Sequence, residues 1–301
     1  MRNRPVLILR SFVLITLSLV TALAMPCARA EPIPHGKSVR SITVNEESIE
    51  LHTYKPPEYN GGPILLVLHG LGRNAPGYRD YAIPLADSHG MLVIAPLFDR
   101  KQFPTWRYQG GGLVHDQQAE NLEVRPPSQW TGRLFLGIVD AVRSAEQRTD
   151  LPYALIGHSA GGQSLSRFAA FMPHTATHII IANPSTWIWP SREERFPYGF
   201  GGLPAGMSGD EALRNYLAQP VTLLLGGADT RRDNNLNLRA GAERQGLNRL
   251  ERGRNVFKAA QNMAREQGWE FAWRLVEVPG VGHSARRMLG SQQAIDSLGA
   301  R

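Results

Sequence analysis

The chain has 301 residues, 42% of them apolar and 20% charged, with a formal charge of +7 and one cysteine. Such a composition suits a soluble globular protein with a real core, large enough for one big domain or two small ones. It excludes a scaffold built on disulfides, because Cys27 has no partner cysteine.

Residues 1–30 read as an export signal. Arg2, Arg4 and Arg10 open it, an apolar run follows to Ala24, and Ala28-Arg29-Ala30 offers small residues where a signal peptidase reads. The run is short for a membrane span. Cleavage after Ala30 removes Cys27 and four arginines, which takes the formal charge from +7 to +3. The mild balance left gives no ground for nucleic-acid binding. The expected location is the periplasm or the medium, with no stable membrane anchor after cleavage.

After a loose lead-in at 31–39, residues 41–44 and 49–54 alternate apolar and polar and predict a hairpin. Residues 64–68 are continuously apolar and predict a central parallel strand. It runs into His69-Gly70-Leu71-Gly72. A helix over about 77–87 and a strand at 91–95 follow. Residues 98–126 predict a long polar loop, and 127–148 a helix with Leu134, Ile138 and Val142 on one face. Further strands are expected at 153–156, 178–182, 221–225 and 271–276. Helices are expected after Ser159, within 209–218, over 256–267 and at the end of the chain. Residues 185–208 predict irregular structure. Strands alternating with helices, without repeats or linkers, predict one α/β domain over 31–301. Its core is a doubly wound, mostly parallel sheet with helices on both faces, and insertions sit near 98–126 and 185–219.

The chemistry centres on Gly157-His158-Ser159-Ala160-Gly161. A strand enters this turn and a helix leaves it, the arrangement of a nucleophile elbow. A serine hydroxyl needs a base, and the base needs an orienting carboxylate. His283 follows the last strand in a glycine-flanked loop, and Asp229 follows the strand at 221–225. Ser159, Asp229 and His283 all lie just past strand ends, where ligands of such sheets bind. Asp233 remains a second candidate for the acid. An oxyanion needs preplaced donors. The backbone N–H of Ala160 is one candidate, and that of Leu71, between Gly70 and Gly72, is the other.

Weaker features leave two readings each. Trp106, Tyr108, Trp187 and Trp189 lie in the insertions and suit either a substrate pocket or core packing. The arginines at 231, 232, 239, 244, 249, 252 and 254 could meet an anionic surface, but fit a solvated helix face better. No His/Cys cluster has metal-ligand spacing, and Gly110-Gly111-Gly112 lacks the lysine of a phosphate loop. No cofactor is implied.

On these motifs, with Gly227-Ala228-Asp229 and Val281-Gly282-His283, the chain resembles the α/β-hydrolase superfamily over nearly all of residues 40–300. The stretch from His69 to Asp80 is also similar to secreted carboxylesterases of the polyhydroxyalkanoate-depolymerase and feruloyl-esterase kind. The resemblance implies an exported serine hydrolase of carboxylic esters, with a small-molecule or polymer ester as its partner. A peptidase, amidase or acyltransferase would use the same three residues. A binding protein on an inactive hydrolase scaffold is the non-enzymatic alternative.

Overall fold

The computed structural model describes residues 31–299. The expected export signal lies outside them. The strands are β1 (Gly36–Val44), β2 (Glu47–Lys55), β3 (Ile64–Leu68), β4 (Leu92–Leu97), β5 (Tyr153–His158), β6 (His178–Ala182), β7 (Val221–Gly226) and β8 (Arg274–Val278). They form one sheet in the order β1-β2-β4-β3-β5-β6-β7-β8. The pairs β1/β2 and β2/β4 are antiparallel, and every other pair is parallel. This is the doubly wound α/β sheet that the alternating strands and helices predict.

The central strands are apolar throughout because both of their faces are covered. Ile64, Leu66 and Leu68 of β3 point to one face with Leu155, Ile179, Leu223 and Leu225. Against them pack helices Thr131–Ala145, Ala160–Phe171 and Arg249–Gln267. Leu65, Val67, Ile156, Ile180 and Leu224 point to the other face. There they meet helices Ala75–Tyr81, Ile83–His89, Ala285–Leu289 and Gln292–Gly299. Among the described residues, no helix is long and apolar enough to cross a membrane.

Several boundaries differ from the sequence expectation, each for a local reason. The lead-in is partly strand, since β1 begins at Gly36 and pairs in register with β2 through Lys55. Asn45 and Glu46, both at positive φ, make the two-residue turn that joins them. The helix expected over 77–87 is two helices. Pro84 has no N–H to donate to the preceding turn, so the chain breaks at Ala82. Helix Arg249–Gln267 starts seven residues before the expected 256. Gly253 masked it in the sequence, and a Cβ there would lie 2.5 Å from Leu225 Cδ2.

The first insertion is less polar than expected, and both insertions feed the core. Phe98, Phe103, Tyr108, Leu113 and Val114 of the first are buried, as are Trp187, Phe196 and Phe200 of the second. Arg195 of the second insertion donates to the carbonyls of Ala119 and Glu120 in the first. The buried Arg167 ties helix Ala160–Phe171 to the carbonyls of Thr186 and Pro197.

A buried ion pair anchors the antiparallel edge. Lys55 Nζ lies 2.7 Å from Glu146 Oε2, with side chains 7% and 9% exposed. Glu146 also accepts the Ile33 N–H at 2.8 Å. Removing the cation alone strands a buried carboxylate. Lys55→Met is therefore expected to lower stability by about 3 kcal/mol. Urea unfolding of the two proteins measures this, and an unchanged midpoint would mean the pair contributes nothing.

Candidate active site

Ser159 links β5 to helix Ala160–Phe171 with φ 57° and ψ −113°. A non-glycine residue there costs roughly 1–3 kcal/mol and persists only where its surroundings hold it. Its N–H donates to Ala182 O on neighbouring β6 at 2.9 Å. The glycines around it give clearance. A Cβ at Gly157 would lie 2.6 Å from Gly161 C, and one at Gly161 would lie 2.3 Å from Leu68 O. The helix start thus tucks under the end of β3, and the serine hydroxyl stands out above the sheet.

The loops after β7 and β8 are laced together by backbone bonds. Gly227 N–H donates to Val278 O and Ala228 N–H to Val281 O, each at 2.9 Å. At Gly226 a Cβ would lie 2.5 Å from Val281 O, so only glycine allows the approach. This lacing sets Asp229 beside His283. His283 Nδ1 lies 2.7 Å from Asp229 Oδ2, and His283 Nε2 lies 3.0 Å from Ser159 Oγ. A carboxylate only accepts, so Nδ1 carries the proton and donates. Nε2 is then free to accept from the serine hydroxyl. Asp229 is 1% exposed and the histidine ring 21% exposed.

The two candidate acids have different partners. Asp233 accepts two hydrogen bonds from Arg249, at 2.8 and 2.9 Å, and not from His283. These bonds hold its carboxyl down to about 2 against the effect of partial burial. Arg249 is fully buried and also lies 3.7 Å from Asp229 Oδ1. The solvated arginine face expected from sequence is thus wrong for Arg249 and Arg252, both 0% exposed. Arg252 turns inward to Ser185 O, Gly246 O and Glu243. Arg232, Arg244 and Arg254 remain on the surface in ion pairs.

Sequence reasoning missed the buried counter-charge at Arg249. A signal for the helix, though not for its burial, was present: Asn248 and Glu251 have capping-box spacing, and Asn248 Oδ1 accepts the Glu251 N–H while Glu251 accepts the Leu247 N–H just before the cap. It also passed over the partners of the elbow histidine. His158 is buried, 3.1 Å from the Tyr78 hydroxyl through Nδ1, and its ring centre lies 4.6 Å from that of His283. Burial first, then the charges of His283 and Arg249, push it well below the usual histidine range, so it stays neutral.

Gly70, Leu71, Gly72, Ser159, His283 and Arg286 are among the residues that line an open cleft of about 330 Å³. A Cβ at Gly70 would lie 3.6 Å from that of Ser159. The turn is braced by His69, whose Nε2 accepts the Phe98 N–H at 3.0 Å and whose Nδ1 lies 3.0 Å from Gly70 O. Burial pushes this imidazole down to about 4, so it too stays neutral. Leu71 N–H and Ala160 N–H make no turn or loop hydrogen bond among the described residues. The insertion aromatics do not reach the cleft. Tyr108 and Trp187 are fully buried core, Trp106 meets His115 edge to face, and Trp189 packs against the core.

Backbone clearance at the elbow makes a direct prediction. Gly161→Ala drives a methyl into Leu68 O and is expected to cost about 2–3 kcal/mol. Thermal unfolding should show the loss. A stable variant with the wild-type melting temperature would contradict the tight packing.

No protein-family model matches the sequence, and a search of curated proteins finds no match. Solved structures do match. LpqC, a poly(3-hydroxybutyrate) depolymerase from Bordetella parapertussis, is 33% identical over 89% of this chain and 92% of its own, with a TM-score of 0.79. Poly(aspartic acid) hydrolase-1 from Sphingomonas sp. KT-1 is 31% identical over 88% of this chain and 98% of its own, with a TM-score of 0.80. An S-formylglutathione hydrolase from Agrobacterium tumefaciens, 17% identical with a TM-score of 0.51 over 90% of this chain and 96% of its own, shares the fold. The sheet, its helices and these relatives together make the chain a member of the α/β-hydrolase superfamily, akin to its depolymerases and esterases.

Proposed function

We propose that the protein is an exported serine hydrolase that cleaves carboxylic esters through an acyl-enzyme on Ser159. The observation that carries this reading is the hydrogen-bonded chain from Ser159 Oγ through His283 to Asp229. Ser159 Oγ attacks the ester carbonyl while His283 Nε2 takes its proton. The oxyanion forms between the N–H groups of Ala160 and Leu71, each such donor being worth about 3 kcal/mol in the transition state. Asp229 accepts from Nδ1 throughout and stabilises the imidazolium. His283 then hands the proton to the departing alcohol. Water, activated by the same imidazole, attacks the acyl-enzyme and releases the acid. No step calls for a metal or a cofactor.

Ester chemistry is supported by the Bordetella relative, whose named substrate is a polyester. An open cleft suits a short ester or an exposed segment of a polymer chain. Export is supported by the signal-like residues 1–30. The test is a panel of nitrophenyl esters of rising chain length beside aryl esters and a peptide amide. Ser159→Ala should reduce hydrolysis to background. Asp229→Asn should lower kcat by about 10⁴-fold, because the imidazole loses its tautomer. Full activity in Ser159→Ala would end the proposal.

A second reading is favoured by one feature of the cleft. Arg286 is on its lining, is exposed, and forms no ion pair among the described residues, and no acidic residue shares that lining. A substrate bearing a carboxylate would meet a cation there. The named substrate of the Sphingomonas relative, poly(aspartic acid), is an amide-linked polyanion. Arg286→Gln is expected to raise KM about 5-fold for a hemisuccinate ester, the yield of a rim charge worth about 1 kcal/mol. KM for the neutral acetate should not move. Equal effects on both esters would remove the anion preference.

A further inference from the structure

We propose that Asp233 and Arg249 act as a charge-balancing pair behind Asp229, setting the net charge that His283 faces and keeping Arg249 off the oxygen that orients it. The inference rests on the reading of Ser159, His283 and Asp229 given above.

A fully buried arginine beside a histidine that must become cationic is unfavourable by itself. Like charges in a low-dielectric interior repel strongly. Arg249 nevertheless sits 3.7 Å from Asp229 Oδ1, with both side chains at most 1% exposed. Asp233 resolves the conflict. It grips both terminal nitrogens of Arg249 at 2.8 and 2.9 Å, a bidentate geometry that fixes the guanidinium plane. Held there, Arg249 attracts Asp229 through space without donating a hydrogen bond to it. Asp229 Oδ2 is left to His283 at 2.7 Å. The backbone strengthens the link, because Leu250 N–H donates to Asp229 O at 3.3 Å.

The charges then add up in favour of the proposed mechanism. Asp229, Arg249 and Asp233 together carry one net negative charge. An imidazolium at His283 brings the cluster to neutrality. Without Asp233, the imidazolium would face a neutral pair. Without Arg249, it would face two negative charges. Beyond this cluster, the charged groups near His283 are Arg286 and Arg287, both exposed and screened by solvent. Ser159 and His158 are neutral, and Tyr78 lies beyond His158. Arg286 and Arg287 follow on the next helix, the first on the cleft and the second on Gly280 O.

The opposite signs make the test selective. The readout is the second-order rate at which a fluorophosphonate probe labels the protein, followed against pH where the fold is intact. No natural substrate is needed. Asp233→Asn should slow labelling several-fold and move the acid limb down by about half a pH unit, since the imidazolium loses support. Arg249→Met should move the limb up by a similar amount. Arg249→Lys, which keeps the cation, should leave it close to wild type. Should Arg249→Met fail to fold, the other two variants decide. If the limb stays in place in Asp233→Asn while only the melting temperature falls, the pair is a structural staple and the proposal is overturned. A wild type that does not label, or a Ser159→Ala variant that still labels, brings down the underlying reading of the site and the inference with it.

Discussion

Everything at the cleft depends on one close backbone contact. The first turn of helix Ala160–Phe171 passes under the end of β3 so tightly that no side-chain atom fits at Gly161. That contact forces the preceding residue into a strained conformation, and the residue is Ser159. Its N–H is pinned to Ala182 O on the next strand, so the strain cannot relax by rotation. The hydroxyl is therefore presented by the central strands of the sheet, which are buried on both faces. Preorganisation of this kind spares a reaction the cost of arranging its groups.

A second constraint meets the first from the other side. The loops after β7 and β8 share backbone hydrogen bonds, which hold Asp229 and His283 side by side. Behind them lies an unusual amount of buried charge. Arg249 and Arg252 are both fully buried, and each has a carboxylate partner of its own. The carboxylates are partly exposed but the guanidiniums are not, so losing either carboxylate would leave a buried, uncompensated cation. The same loop connections that build the hydrolase sheet thus carry the polar network that serves its rim.

Much of this was legible in the sequence, and the limits were physical. The apolar runs of β3, β5, β6 and β7 announce buried parallel strands because both faces must be apolar. The glycine spacing around Ser159 reports a backbone clash directly. Chain order alone brought Asp229 and His283 to the same edge of the sheet. Choosing between Asp229 and Asp233 needed coordinates, because four residues of loop carry no periodic signal. The burial of Arg249 was illegible for a related reason. A glycine at 253 and several charged neighbours look like a solvated helix until Leu225 is seen to fill the space above that glycine. The insertion aromatics stayed undecided in the sequence, since large apolar side chains in a long loop read equally well as pocket or core.

The central claim is that the hydroxyl of Ser159 is the activated nucleophile. Intact-mass and peptide mass spectrometry after reaction with a fluorophosphonate test it most directly. The account predicts a single adduct on the peptide that contains Ser159, formed quickly in the wild type and only slowly in His283→Ala. An adduct on a different serine, or equal rates in the two folded proteins, would contradict it.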